Sequence, residues 1–157
     1  MSSDRRVAII TGSSCGIGRA VAIRLAQDGH NVSSAGKAQE VVDIIHNTTA
    51  SKATAVQGDV RNLADGQNLI EESLKAFGRI DVVVFNAAWI VYQTIHDVTD
   101  KSYEEALRTN VKDPMFFTMK LIPYLKASSC LVYLSTTLSS ASTVAPNYFL
   151  YCTTKGA

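Results

Sequence analysis

Val7-Ala8-Ile9-Ile10-Thr11-Gly12-Ser13-Ser14-Cys15-Gly16-Ile17-Gly18 is the stretch that decides the fold. Four consecutive apolar residues suit a strand buried on both faces, as in a parallel sheet. Gly12, Gly16 and Gly18 follow at once. Glycine reaches positive φ and lets a backbone or an anion approach where a Cβ would clash. Ile17, Val21 and Leu25 then recur at helical spacing, and Gly29 marks the end of that helix. A strand that turns through glycines into a helix presents free main-chain N–H groups and a positive dipole end, which together hold a diphosphate. A P-loop is excluded, because no Lys-Ser or Lys-Thr pair follows the glycines and Arg19 stands at the wrong spacing.

The alternation of strand and helix continues outward. His30 to Gly36 holds one clearly apolar residue, Val32, so the second strand is expected to be shortened. Ala38, Val41, Val42 and Ile45 form a second helical stripe, and Ala53 to Gln57 a third strand ending at Gly58-Asp59. Ile70, Leu74 and Phe77 mark a third helix with Gly78 as its stop, and Ile80 to Phe85 is the clearest strand. Thr99 opens a helix carrying Tyr103 and Leu107; Val111, Met115, Met119 and Ile122 mark another, bounded by Pro123. Cys130 to Leu134 reads as a strand, Ser135 to Asn147 as a Ser/Thr-rich loop, and Tyr148 to Ala157 as the opening of a last helix. This order predicts an α/β fold: a doubly wound, Rossmann-type parallel sheet with helices on both faces, binding ligands at the carboxyl ends of its strands. The turns after Ile10, Phe85 and Leu134 lie at that end.

Composition narrows the function classes. The 157 residues predict one domain, residues 1–157. Apolar residues at 46% and charged residues at 18% suit a globular core and argue against disorder. A net charge of +1 offers no basic face for nucleic acid. No run of 18 apolar residues exists, so no membrane partner is expected. Cys15, Cys130 and Cys152 have neither metal spacing nor an even count, which favours a reducing cytoplasm and no metal site.

From Arg6 to Ala157 the chain resembles the short-chain dehydrogenase/reductase family. Thr11, Gly12, Gly16 and Gly18 meet its Thr-Gly-x-x-x-Gly-x-Gly signature in full. Asp59-Val60 matches the pair after the third strand, and Asn86-Ala87-Ala88 matches most of Asn-Asn-Ala-Gly, departing at Phe85 and Ala88. Asn110 matches the asparagine of the long central helix, and Tyr151-Cys152-Thr153-Thr154-Lys155 matches Tyr-x-x-x-Lys. The resemblance implies NAD or NADP bound by Gly12, Ser14, Gly16, Ile17, Gly18, Asp59, Val60, Asn86, Ala87, Tyr151 and Lys155. It also implies hydride transfer between that cofactor and a small alcohol or carbonyl substrate. The choice of nucleotide stays open. An acidic residue about 20 positions past the glycines would favour NAD; that position falls near Ala38, with Glu40 on the following helix and Lys37 either solvated or a 2′-phosphate ligand.

Tyr151 and Lys155 are four apart, so a helix puts them on one face. A free phenol has a pKa near ~10, and a neighbouring ammonium lowers it, which suits Tyr151 to general acid–base work. The resemblance implies that Lys155 also binds the nicotinamide ribose and that Asn110 holds a water relaying protons from Lys155. A hydroxyl should polarise the carbonyl. The family's spacing lands on Leu138, which has none; alignment on the strand end selects Thr136, then Ser135, with Thr137 and Ser139 still open. Trp89, Tyr92 and His96 either pack a surface loop or line the substrate pocket. The chain stops two residues after Lys155, so the family's last strands and substrate-covering loop are expected to be missing. The alternative function is therefore a non-catalytic dinucleotide-binding fragment. By resemblance, a homo-oligomer would form through the central helix and the one after it.

Overall fold

A computed structural model describes residues 5–36, 38–59, 62–136 and 147–156. Strand β1 (Val7–Ile10) is buried along its whole length and lies at the centre of a five-stranded sheet. It pairs in parallel with β2 (Asn31–Ala35) on one side and β4 (Val82–Phe85) on the other. Strands β3 (Ala53–Val56) and β5 (Cys130–Tyr133) complete the parallel order β3-β2-β1-β4-β5. Alternation along β1 sends Ala8 and Ile10 to one face and Ile9 to the other. Helices α1 (Gly16–Gln27) and α2 (Gln39–Thr48) cover the first face with Ala22, Ala26, Val41 and Ile45. Helix α3 (Leu63–Phe77) and the later α5 (Asp113–Leu121) cover the second with Leu69, Ile70, Phe117 and Leu121. The sheet is doubly wound, as expected. Its order reverses between β1 and β4, so the carboxyl ends of those two strands flank the switch-point crevice.

Glycine stops α1 as its position predicts. Gly29 has φ 91°, its N–H donates to Ala26 O at 3.1 Å, and His30 N–H donates to Leu25 O at 2.9 Å. This pair of bonds satisfies the last carbonyls of the helix. The two helices expected between Thr99 and Ile122 are one continuous helix with a π-helical segment, Arg108–Lys112, between α4 (Asp100–Leu107) and α5. Pro114 has no N–H to give the Asn110 carbonyl four residues back, and Asp113 N–H donates five residues back, to Arg108 O.

The second strand corrects an expectation. It is not short: β2 runs five residues, one more than β1 or β3. Ser33 and Ser34 are buried in it, yet both hydroxyls have partners. Ser34 Oγ accepts from Ser13 Oγ at 3.0 Å, and Ser33 Oγ accepts from Ser73 Oγ at 2.7 Å. A buried hydroxyl with a partner carries little penalty, so the polar segment pairs as a full strand.

At the opposite end of the sheet, Asp81 is fully buried and locks β1 to the start of β4. Its Oδ2 accepts from Val7 N–H and Arg79 Nε, each at 2.8 Å, and its Oδ1 accepts from Arg79 at 2.7 Å. Burial works to raise the carboxyl pKa, but the Arg79 and Val7 hydrogen bonds and the nearby guanidinium charges outweigh it, and the net shift is downward. Strands β3 and β5 are the two edges of the sheet among the described residues. Tyr133 on β5 is exposed, as are Met115 and Met119, which line a cleft with it. Among the described residues no helix is long and apolar enough to cross a membrane.

Candidate active site

The glycine turn is built by interlocking it with the turn after β4. Thr11 Oγ1 accepts from the N–H groups of both Asn86 and Ala87 at 3.1 Å. The Asn86 amide returns two bonds, donating to Thr11 O at 3.1 Å and Gly12 O at 3.0 Å. The close approach explains the glycines. A Cβ on Gly18 would lie 2.4 Å from both Asn86 Nδ2 and Gly12 O, and one on Gly12 would lie 2.9 Å from Ala87 Cα. Gly16 differs: its φ is 55°, but a Cβ there would meet nothing within 4 Å. Helix α1 begins at this open side. No side chain caps its first turn, no acidic residue lies in that turn, and Cys15, Gly16 and Ile17 are exposed. Its first amides are therefore available to an anion.

Beside the turn, Thr11, Ala35, Asp59, Ala87 and Thr109 border a narrow cavity of about 30 Å3. The Thr109 hydroxyl is buried and has no hydrogen-bond partner among the described residues. Asp59 is exposed, and its N–H is held by Asp65 Oδ2 at 2.7 Å. A glycine cradle, unblocked helix amides and an orphaned buried hydroxyl at the sheet's carboxyl end fit a dinucleotide.

The other end of the crevice is built by β5 and helix α6 (Phe149–Lys155). Asn110, Ser135, Thr154 and Lys155 line a cleft of about 640 Å3 there, with Tyr133 and Met115 on its outer wall. Tyr151 and Lys155 share a helix face, with Lys155 Nζ 5.9 Å from the Tyr151 ring centre. Lys155 Nζ donates to Leu134 O at 2.7 Å, and Ser135 Oγ donates to Lys155 O at 2.9 Å. Burial pushes the Tyr151 phenol up, with Cys152 adding to the effect, and burial lowers the Lys155 ammonium. The expected depression of the phenol by the ammonium is not realised here, because desolvation dominates both groups and Nζ is turned to the Leu134 carbonyl.

Asn110, at the centre of the π-segment, has its amide fully engaged rather than turned to solvent. Its Oδ1 accepts from Trp89 N–H at 2.8 Å; its Nδ2 donates to Trp89 O and to Thr154 Oγ1, each at 2.9 Å. Thr136 is half-buried, directly after Ser135. Val60, Lys37, Thr137 and Ser139 lie outside the described residues. Of the three loop residues considered for the substrate pocket, Trp89 is clasped through its backbone by Asn110. Tyr92 meets Tyr148 edge-on at 5.1 Å and accepts from Asn147 Nδ2 at 2.7 Å. His96 is exposed in a short 3-10 turn, Ile95–Asp97. Phe85, where the signature has its first Asn, is buried; it stacks on Tyr133 at 4.6 Å and meets Phe117 edge-on at 5.8 Å. Sequence reasoning missed the buried Thr154. The available signal was a hydroxyl residue three positions after Tyr151 on the same short helix.

The family model for short chain dehydrogenases matches residues 6–157. A hydroxynaphthalene reductase-like protein, Arp2, from Metarhizium brunneum is 33% identical over 97% of this chain and 58% of its own length. The short chain dehydrogenase claC of Passalora fulva is 31% identical over 98% of this chain and 59% of its own. Among solved structures, a short chain dehydrogenase from Burkholderia cenocepacia in complex with NADP superposes with a TM-score of 0.89 at 30% identity, covering 98% of this chain and 63% of that one. The chain thus spans about three-fifths of the length of these relatives. The glycine turn locked to Asn86, the parallel order around it and a match across residues 6–157 converge: the chain belongs to the short chain dehydrogenase family.

Proposed function

We propose that the chain forms one NAD(P)-binding domain of an oxidoreductase acting on an alcohol or carbonyl. The observation that carries this reading is the glycine turn, locked to Asn86-Ala87 at the switch point while the first amides of α1 stay open. Gly12, Ser14, Gly16, Ile17 and Gly18 would face the diphosphate, with Asp59 and Val60 toward the adenosine and Asn86 and Ala87 along the crevice. The NADP in the similar Burkholderia structure supports this nucleotide class, with NAD and NADP both compatible with the residues present. When bound, the cofactor supplies or accepts the hydride.

The chain's own groups manage the proton. Tyr151 Oη gives a proton to the carbonyl oxygen in reduction and takes one from the alcohol in oxidation. Lys155 holds positive charge beside it and binds the cofactor's ribose. Thr136, or Ser135 beside it, donates a hydrogen bond to the substrate oxygen. Asn110 fixes the helix junction behind Lys155. A phenol raised by burial stays protonated through neutrality, so reduction should hold its rate there, while oxidation, which needs the phenolate, should rise with pH.

A second reading is a binding fragment without turnover. It is favoured by the edge position of β5 and the exposed Tyr133, Met115 and Met119 around the cleft. Calorimetric binding of both nucleotides, followed by nucleotide-dependent reduction of a carbonyl panel, separates the two. Binding with turnover that Tyr151→Phe abolishes supports the enzyme. Binding without turnover supports the fragment, and turnover that survives Tyr151→Phe removes the assignment of Tyr151.

A further inference from the structure

Helix α6 has seven residues, too few to hold its shape unaided. Its anchors therefore decide where Tyr151 sits. One of them runs through Thr154, which is 3% exposed. Thr154 Oγ1 accepts from Asn110 Nδ2 at 2.9 Å and donates to Tyr151 O at 2.8 Å. The direction is fixed by chemistry. Asn110 Oδ1 must accept from Trp89 N–H, so its nitrogen faces Thr154 and can only donate. Nδ2 has two protons, and Trp89 O takes the other at 2.9 Å. A hydroxyl, which accepts and donates at once, completes the chain from Trp89 through Asn110 and Thr154 to the Tyr151 carbonyl. Trp89 in turn lies on the turn that begins with Asn86 and Ala87, locked against the glycines.

We infer that Thr154 is a positioning residue whose hydroxyl couples the helix of Tyr151 to the Trp89 turn, and so to the dinucleotide crevice. The inference rests on the reading of Tyr151 given above, but its principal test does not require turnover. Trp89 is the chain's single tryptophan, so its fluorescence and its amide report the junction directly.

T154V keeps the shape and deletes the hydroxyl; T154S keeps the hydroxyl. In the full chain, T154V should speed hydrogen exchange of the Trp89 amide about tenfold, the equivalent of one lost hydrogen bond. It should also shift Trp89 emission and lower kcat with cofactor affinity little changed. T154S should recover all three. Trp89 exchange within about twofold of wild type in T154V, or a T154S that behaves like T154V, overturns the inference. Should T154V fail to fold, wild-type exchange in rising denaturant decides: the Trp89 and Cys152 amides should open as one unit, and separate openings overturn the coupling. A wild-type chain that binds nucleotide but never turns over supports the fragment reading, while the exchange result still judges Thr154.

Discussion

The two ends of the crevice are held by different means. At the glycine turn, main-chain atoms and two side chains, Thr11 and Asn86, close a lattice in which a Cβ on Gly18 has no room. At the other end, a seven-residue helix beside an edge strand is held by the buried Leu150 and Cys152 and by three side-chain bonds, Lys155 Nζ to Leu134 O, Ser135 Oγ to Lys155 O and Asn110 Nδ2 to Thr154 Oγ1. The first end bounds a narrow cavity, the second an open cleft. The difference teaches that, on the proposed function, nucleotide binding and catalytic geometry are separable. Damage to the first should cost folding and binding together, and damage to the second should cost turnover first.

The largest effect that would sharpen this contrast is at Tyr151. Tyr151→Phe should lower turnover by about 10²–10⁴-fold, the usual contribution of a general acid–base, with nucleotide affinity and urea midpoint near wild type. Steady-state kinetics beside calorimetry checks it. Gly18→Ala attacks the other end. With 2.4 Å to Gly12 O and Asn86 Nδ2, it should cost about 3 kcal/mol of stability by overpacking, read as a lower urea midpoint, and abolish nucleotide binding. An unchanged midpoint would break the contrast.

Asp81 tests the foundation under both ends. Asp81→Asn should cost about 2 kcal/mol near neutral pH, the worth of hydrogen bonds to a charged group. The folded carboxyl pKa is lowered, so its stabilisation is complete above the unfolded value, about 3.9, and is lost as pH falls through the folded value. The gap between wild type and variant should therefore close in acid, as urea melts across that range would show. The smallest effect is at Gly16, where the demand is dihedral alone. Gly16→Ala should cost about 1 kcal/mol, well below Gly18→Ala.

The glycine end was legible in the sequence because its residues answer local demands: positive φ at Gly12 and Gly16, and close approach at Gly18. Tyr151 and Lys155 were legible because helical spacing alone sets their shared face. The second strand was not. Ser33 and Ser34 look unsuited to a core, and their partners Ser73 and Ser13 lie 40 and 21 residues away. The continuity of the central helix was not legible either: the stripes of Tyr103 and Leu107 and of Val111, Met115, Met119 and Ile122 read as two helices, and the π-segment that joins them, ahead of Pro114, has no such spacing signal. Thr154 was passed over because its partner Asn110 is 44 residues distant. The expected lowering of the Tyr151 phenol came from spacing alone, and burial, which spacing does not reveal, reversed its direction.

The most direct test is a calorimetric titration of the folded chain, and of its Gly16→Asp variant, with NADPH and NADH. Asp tolerates positive φ better than most residues, its Cβ would meet nothing within 4 Å, and it puts a negative charge where a diphosphate would rest. Saturable binding of at least one nucleotide to the wild type, lost in the variant while it stays folded with a urea midpoint no lower than that of Gly16→Ala, is the predicted result. A folded wild-type chain that binds neither, or a variant that binds as well as wild type, contradicts it.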